Sequence, residues 1–404
     1  MVVFVAMKIT NIESFLMSYE FPEPLKLSFW GGERTILKRD AMLVRVSTDA
    51  GLTGYGPGPA SDQAHTDIME TVRPHLVGRD VAKWGELRDA AGAAEIALLD
   101  LAGKAEGCAV SELVGGRVRD RIRLYGSGGM YMPPERYAEE AAAIAAQGFS
   151  AYKMRPGIGP ESDLEAVRLM RRAVGPDVGL MVDAHTWWRM GDRSYSTDTV
   201  MQLFADMAAY HPTWLEEPLP PEDHDAYRRL HSNAPFPLAT GEHEHTLEGF
   251  LDLITTHAAD YIQLDVCCHG GFAMGERIFD AVASHKLQFA FHSWGTQLEV
   301  LAAAHLGITR PESVVAWLEF PCHSKPGRAG MYPFPLAEEI LAEPLAIEGG
   351  ELIVPRTPGL GIRVDETVVH RYPYKPGPWS YFRLDSPPQT LAVVSDHSVK
   401  FVAV

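Results

Sequence analysis

The stretch Gly179-Leu180-Met181-Val182-Asp183-Ala184-His185 is a short apolar run that ends in ionisable residues. A helical period follows over 197–210, and Thr213-Trp214-Leu215-Glu216-Glu217-Pro218 then repeats the first pattern. This strand–helix–strand beat, recurring at roughly 30 residues, is the signature of a βαβ unit. It continues in both directions. Upstream lie Ile122–Tyr125 and Ala151–Met154; downstream lie Pro237–Ala239, Tyr261–Leu264, Gln288–Phe291 and Val314–Leu318. Amphipathic stretches over 135–147, 162–174, 247–257, 275–285 and 297–306 alternate with them. Eight strands alternating with helices predict an α/β fold, a (β/α)8 (TIM-type) barrel rather than an open sheet.

Residues 1–120 read differently. Met7–Phe15 alternates like a strand, and Ala41–Ser47 with Gly51, Gly54 and Gly56 reads as a β-meander with turns. Gly92–Glu106 reads as a helix stopped by Gly107. The expectation is an N-terminal α+β capping domain over 1–120, the barrel over 121–340, and a C-terminal segment over 341–404. Ile347–Ile362 is expected to return to the cap as strands. The tail beyond Trp379 has little pattern, and 395–404 is expected to be flexible.

Charge narrows the partners. Against 36 Lys and Arg stand 53 Asp and Glu, a net charge of −17. Such a surface repels phosphate backbones and anionic lipids, so neither nucleic acid nor membrane is an expected partner. An anionic substrate then needs local positive charge, from a metal or a few placed cations. No run approaches the ~20 apolar residues of a membrane span. Met1–Ala6 lacks the basic start and the length of a secretory signal, and Met7 is an alternative natural start. Cys108, Cys267, Cys268 and Cys322 form no CxxC pair or disulfide framework and read as packed thiols. The setting expected is reducing and cytoplasmic.

Active sites of such barrels lie at the C-terminal ends of the strands. Strand two ends in Lys153-Met154-Arg155, strand three in Asp183-Ala184-His185, strand four in Glu216-Glu217 and strand five in Glu242-His243. Strands six, seven and eight end in Asp265, His292 and Glu319. Seven consecutive ionisable strand ends are more than a scaffold needs. Asp183, Glu216 and Glu242 come from three adjacent strands, an all-oxygen set of the kind Mg²⁺ prefers. Alternation allows only one of Glu216 and Glu217 to face inward.

These residues carry a resemblance. Lys153-x-Arg155, Asp183-x-His185, Trp214-Leu215-Glu216-Glu217-Pro218, Gly241-Glu242, Asp265 and His292 resemble the enolase superfamily, in its mandelate racemase and sugar-acid dehydratase branch. So do the cap segments Leu52–Gly56 and Ala94–Leu101. The resemblance selects Glu216 over Glu217 and implies one Mg²⁺ per subunit. It makes His292 and Asp265 a general-base dyad, a reading that the handling of carbon acids in this superfamily supports. Racemases of the family place a second Lys base where Arg155 stands here. A guanidinium is a poor proton acceptor, so two-base racemisation is impaired. In dehydratases of the family a His two residues past the metal-binding Asp protonates the departing hydroxyl, which assigns His185.

The resemblance therefore implies a carbon–oxygen lyase that converts an aldonate or aldarate to a 2-keto-3-deoxy acid. Lys153 would add positive charge at the substrate carboxylate. Arg155, Glu319 and His243 would contact substrate, with Trp30 and Arg34 closing over it from a cap loop at 19–34. His243 and His245 imitate a zinc His-x-His, but the Glu242 face is expected inside. A homo-oligomer, dimer or octamer, is implied. The alternative reading is a racemase, epimerase or cycloisomerase using the same enolate. A zinc hydrolase barrel needs an early His-x-His, and 121–132 holds no histidine.

Overall fold

The computed structural model describes residues 6–322, 333–394 and 398–402. Its N-terminal part is built on a long antiparallel hairpin, β1 (Ile9–Phe29) with β2 (Gly32–Thr48), and β3 (Thr53–Gly58) adds to β2. Residues 19–34 are thus the far half of this hairpin, with its turn at Trp30-Gly31, rather than a loop. Gly51 makes a turn at φ +77°. Gly54 and Gly56 do something else: they lie within β3, where the helix Glu95–Glu106 crosses. A Cβ on Gly54 would sit 2.3 Å from the Ala97 carbonyl, and one on Gly56 would sit 2.5 Å from the Ala97 nitrogen. The two glycines let the helix rest on the strand backbone.

Eight parallel strands follow: β4 (Arg121–Met130), β5 (Ala151–Arg155), β6 (Gly179–Asp183), β7 (Trp214–Glu216), β8 (Leu238–Thr240), β9 (Tyr261–Leu264), β10 (Gln288–Phe291) and β11 (Val315–Pro321). β11 pairs with β4, which closes the ring. The barrel's interior is plugged by Tyr125, Met181, Trp214 and Trp317 against the small Ala151, Ala239 and Ala290. Large against small fills the ring without a channel. The helix His224–His231, between β7 and β8, was not read from the sequence. It is short and rich in Arg and His, and its apolar contribution is Ala226, Tyr227 and Leu230 alone.

The C-terminal segment corrects two expectations. β13 (Glu351–Ile353) pairs with the start of β4, Leu352 opposite Ile122, and β12 (Ile347–Glu348) pairs with β13, so both join the barrel rather than the cap. The return to the cap is made by β14 (Ser380–Leu384), β15 (Thr390–Val393) and β16 (Val399–Phe401), giving the order β1-β2-β14-β15-β16. Part of the tail expected to be flexible is therefore a strand. Residues 395–397 and 403–404 lie outside the described set.

A buried acid clasps cap to barrel. Glu95, at the start of the helix Glu95–Glu106, accepts hydrogen bonds from the Phe272 and Ala273 amides at 2.7 and 3.1 Å. Those amides open the helix Gly271–His285, whose N-terminal dipole favours an anion. Arg88 pairs with Glu95 and also with Glu276 at 2.7 Å. Replacing the carboxylate by an amide leaves one acceptor oxygen for the two amides and Arg88, and leaves Arg88 with Glu276 as its remaining carboxylate. Glu95→Gln should lower stability by about 3 kcal/mol, read as a shift of the urea midpoint; an unchanged midpoint would remove Glu95 as the clasp.

Candidate active site

The cavity opens at the C-terminal ends of the strands and holds about 510 Å³. Barrel residues Arg155, Asp183, His185, Glu242, Asp265 and His292 line it, and the cap closes it with Arg34, Arg39 and Trp379. The cap is therefore a wall of the site. Arg34 and Arg39 stack on Trp379, at 4.9 and 4.2 Å from the ring centroid.

Asp183, Glu216 and Glu242 each bring a carboxylate oxygen to within 4.8 Å of the others. They end β6 and β7 and follow β8, the neighbouring strands read from the sequence. Two of the oxygens, Asp183 Oδ2 and Glu242 Oε2, are buried and accept no aligned hydrogen bond. Glu216 is held by its own strand, since Trp214 Nε1 donates to its Oε2 at 2.9 Å. The surrounding charge fits a divalent cation. Among the groups around Asp183, Glu216, Glu242 and Glu319, the permanent cations are Lys153 and Arg155; the other basic neighbours are imidazoles, His185 at Asp183 and His243 and His292 each 3.4 Å from Glu242. Burial, the main cause, pushes Glu216 up to about 8, and Asp183 and Glu242 add to that. A hard cation at these oxygens would relieve the same stress.

Lys153 lies at the bottom of this cluster. Its Nζ is 2.6 Å from Glu216, 3.1 Å from Glu319 and 3.5 Å from Asp183. It is wholly buried and does not line the cavity. Glu319 is likewise beneath the cavity, accepting from Arg155 at 3.0 Å and from the Ser293 amide at 3.0 Å. Neither lines the cavity, because opposite charge draws these groups to one another under the site. Arg155 does reach the cavity. It bridges Asp183 (3.1 Å) and Glu319 (3.0 Å), with its plane 3.6 Å from the Trp294 centroid.

The two histidines are mounted alike. His292 Nδ1 lies 3.0 Å from Asp265 Oδ2, and Asp265 is itself held by the Cys267 and Cys268 amides. His185 Nδ1 lies 2.6 Å from Asp183 Oδ1. In each ring a carboxylate takes Nδ1. β6 and β10 are the third and seventh strands of the ring, so the two rings stand across it. Their environments differ. Burial disfavours charge on both; it prevails at His185, whose pKa is lowered, whereas Glu242, Glu319 and Asp265 push His292 up to about 10.

Glu217 and His243 correct the alternation argument. β7 ends at Glu216, and Glu217 takes a left-handed φ of +42°. Glu216 and Glu217 are both fully buried. Glu217 Oε2 meets His243 Nδ1 at 2.6 Å, while Arg189 donates to His243 Nε2 at 2.7 Å. An arginine only donates, so Nε2 accepts and the His243 proton sits on Nδ1. β8 ends at Thr240, so Glu242 and His243 leave strand alternation and both line the cavity. His245 sits at the rim, 3.1 Å from His269. Trp30 is outside the cavity: its amide donates to Gly157 O at 2.7 Å, and Arg193 stacks on its ring. Its role is at the hairpin tip, against the loop after β5.

A closed eight-stranded barrel with a carboxylate trio at its strand ends and an α+β cap over them defines a barrel enzyme of carbon-acid type. Residues 136–368 match the enolase C-terminal domain-like family model, and residues 11–115 match the mandelate racemase/muconate lactonizing enzyme N-terminal domain. The chain belongs to the mandelate racemase/muconate lactonizing enzyme family of the enolase superfamily. It is 29% identical over 395 residues to D-galactarolactone cycloisomerase of Agrobacterium fabrum, covering 91% of this chain and 99% of that one. It is 28% identical over 370 residues to D-xylonate dehydratase of Haloferax volcanii, covering 82% and 85%. The crystal structure of 3,6-anhydro-D-galactonate cycloisomerase from Zobellia galactanivorans matches with a TM-score of 0.74 at 28% identity, covering 91% of this chain and 100% of that one. No helix among the described residues is long and apolar enough to cross a membrane.

One residue that supports the site went unread. Asp163, fully buried, accepts from the Gly157 and Ile158 amides (3.0 and 3.1 Å), from Trp187 Nε1 (3.0 Å) and from Tyr195 Oη (2.7 Å). It ties the loop after β5 to the loop after β6, which carries His185. The available signal was an Asp in the first turn of a helix entered by Gly159-Pro160. Four donors meet two oxygens, so an amide in either orientation sets N–H against N–H or O–H. Asp163→Asn should cost about 3 kcal/mol of stability, measured by urea unfolding; a cost near zero would show the loops are held by other contacts.

Proposed function

We propose that this protein is a Mg²⁺-dependent dehydratase of a sugar acid, removing the proton beside the carboxylate and expelling the β-hydroxyl. The observation that carries the reading is the pair of imidazoles across the ring, each taken at Nδ1 by an aspartate, on either side of the carboxylate trio. Asp183, Glu216 and Glu242 would hold the cation. When bound, it would offset the second negative charge that builds on a carboxylate as its neighbouring carbon is deprotonated.

The chain's own groups divide the remaining work. Arg155 is fixed by two acids, the Gly128 carbonyl and a ring face, and would set its positive charge beside the substrate carboxylate. Asp265 orients His292 so that Nε2 takes the α-proton. With Asp183 fixing Nδ1, His185 Nε2 delivers a proton to the β-hydroxyl, which leaves as water because hydroxide is a poor leaving group. The C–H bond breaks, its electron pair forms the carbon–carbon double bond, and the C–O bond breaks. Approach from opposite strands makes this an anti elimination. The enol product takes a proton at carbon and becomes a 2-keto-3-deoxy acid. Arg34 and Trp379 close the cap side and limit water.

The cycloisomerase relatives support a second reading, in which the departing oxygen belongs to a ring and stays attached. Product mass separates the two: a dehydratase product lacks one water, a cycloisomerase product is isomeric with its substrate.

His292→Asn should lower kcat by about 10³-fold or more while fold and Mg²⁺ affinity persist; near-normal turnover would remove the dyad. In deuterated buffer, His185→Asn should slow loss of water far more than α-proton exchange. Equal slowing of the two would take the acid role away from His185.

A further inference from the structure

Two guanidiniums of the barrel face this cavity, and they are paired very differently. Arg155 is held by two carboxylates. Arg189, four residues past His185, makes no ion pair with any described carboxylate. Its NH2 donates to the neutral Nε2 of His243 at 2.7 Å, and its Nε–H is buried with no acceptor. The nearest acids make no direct contact with it: Glu217 Oε2 takes the His243 proton at 2.6 Å while its Oε1 is buried without a hydrogen bond, and Glu242 belongs to the trio. The group is nonetheless fixed in place. Its carbon lies 4.3 Å from the Trp188 centroid, and Trp188 is tied by its Nε1 to the Glu217 carbonyl at 3.1 Å.

Arg189 is partly withdrawn from water with no carboxylate in direct contact, and a fixed guanidinium so placed is a preformed anion site. Burial lowers its pKa, consistent with a charge that lacks full compensation. We propose that Arg189 binds a second carboxylate on the substrate, so that the preferred substrate is a dicarboxylic sugar acid, an aldarate, rather than an aldonate. The inference rests on the dehydratase reading above. One carboxylate lies beside the reacting carbon at Arg155; the other, at the far end of the chain, meets the Arg189 fork. His243 is then the positioning residue: pinned by Glu217, it offers Arg189 a lone pair and holds the guanidinium toward the cavity.

The test uses the full-length enzyme with Mg²⁺ and pairs of acids alike in carbon number and configuration, differing only in the terminal group: glucarate against gluconate, and galactarate against galactonate. Keto product and α-deuterium exchange are both followed. The expected result is a kcat/KM for the better aldarate on the order of a hundredfold or more above its aldonate. Arg189→Met should erase most of that ratio, and Arg189→Lys, which keeps the charge without the fork, should leave an intermediate ratio. Aldonates turned over as well as aldarates would overturn the inference while leaving the dehydratase reading intact. So would an aldarate preference that survives in a folded Arg189→Met enzyme. If no acid of either kind gives product or exchange, it is the dehydratase reading that fails.

Discussion

The site depends on an imbalance of buried charge. Four carboxylates gather over the plugged end of the barrel, and two cations lie among them. Trp214, Tyr125 and Trp317 fill the ring beneath, so water cannot reach the acids from below. Acids this close are stable only if a cation sits between them or one of them keeps its proton, as the raised pKa of Glu216 reflects. Lys153 and Arg155 supply part of that charge, and the two buried oxygens without hydrogen bonds mark where more is called for. The strain that makes the cluster unfavourable alone is what a hard cation would relieve.

Geometry follows from how that cluster is mounted. Asp183 serves two sets of neighbours, Oδ1 toward His185 and Oδ2 toward Arg155 and Lys153, and it belongs to the trio as well. Orientation of the imidazole and assembly of the trio are thereby coupled through one residue. Asp265 serves His292 alone, anchored by backbone amides that do not titrate. The two histidines thus share a mounting but stand in different fields: the carboxylates around His292 favour its protonated form and the burial of His185 favours its neutral form, and a cation held at Glu242 would weaken the first of these.

The cap matters to chemistry as well as to shape. Arg34 and Arg39 on β2 stack on Trp379, which immediately precedes β14, so the cavity wall is made from chain segments far apart in sequence. The Glu95 clasp keeps that wall in register with the barrel. Asp163 does the same for the loops after β5 and β6. Both are buried acids satisfied chiefly by donors from another segment, and neither touches the reacting centre.

Local patterning carried much of the plan. Alternation of short apolar runs with helices is set by which residues must be buried, and burial has a period that can be read along the chain. That is why the eight strands, their order and the acids at their ends were legible, and why Tyr261–Leu264 and Gln288–Phe291 matched to the residue. Where a strand stops, the period stops with it, and inference fails at once. Glu217 turns left-handed and His243 leaves the ladder, so neither could be oriented by counting. The descent of Lys153 and Glu319 beneath the cavity, the placing of Trp30 outside it, and the pairing of β13 with β4 rather than the cap were settled only by tertiary structure. In each case the deciding force is an attraction or packing contact between segments distant in the chain, and such forces leave no period in the sequence.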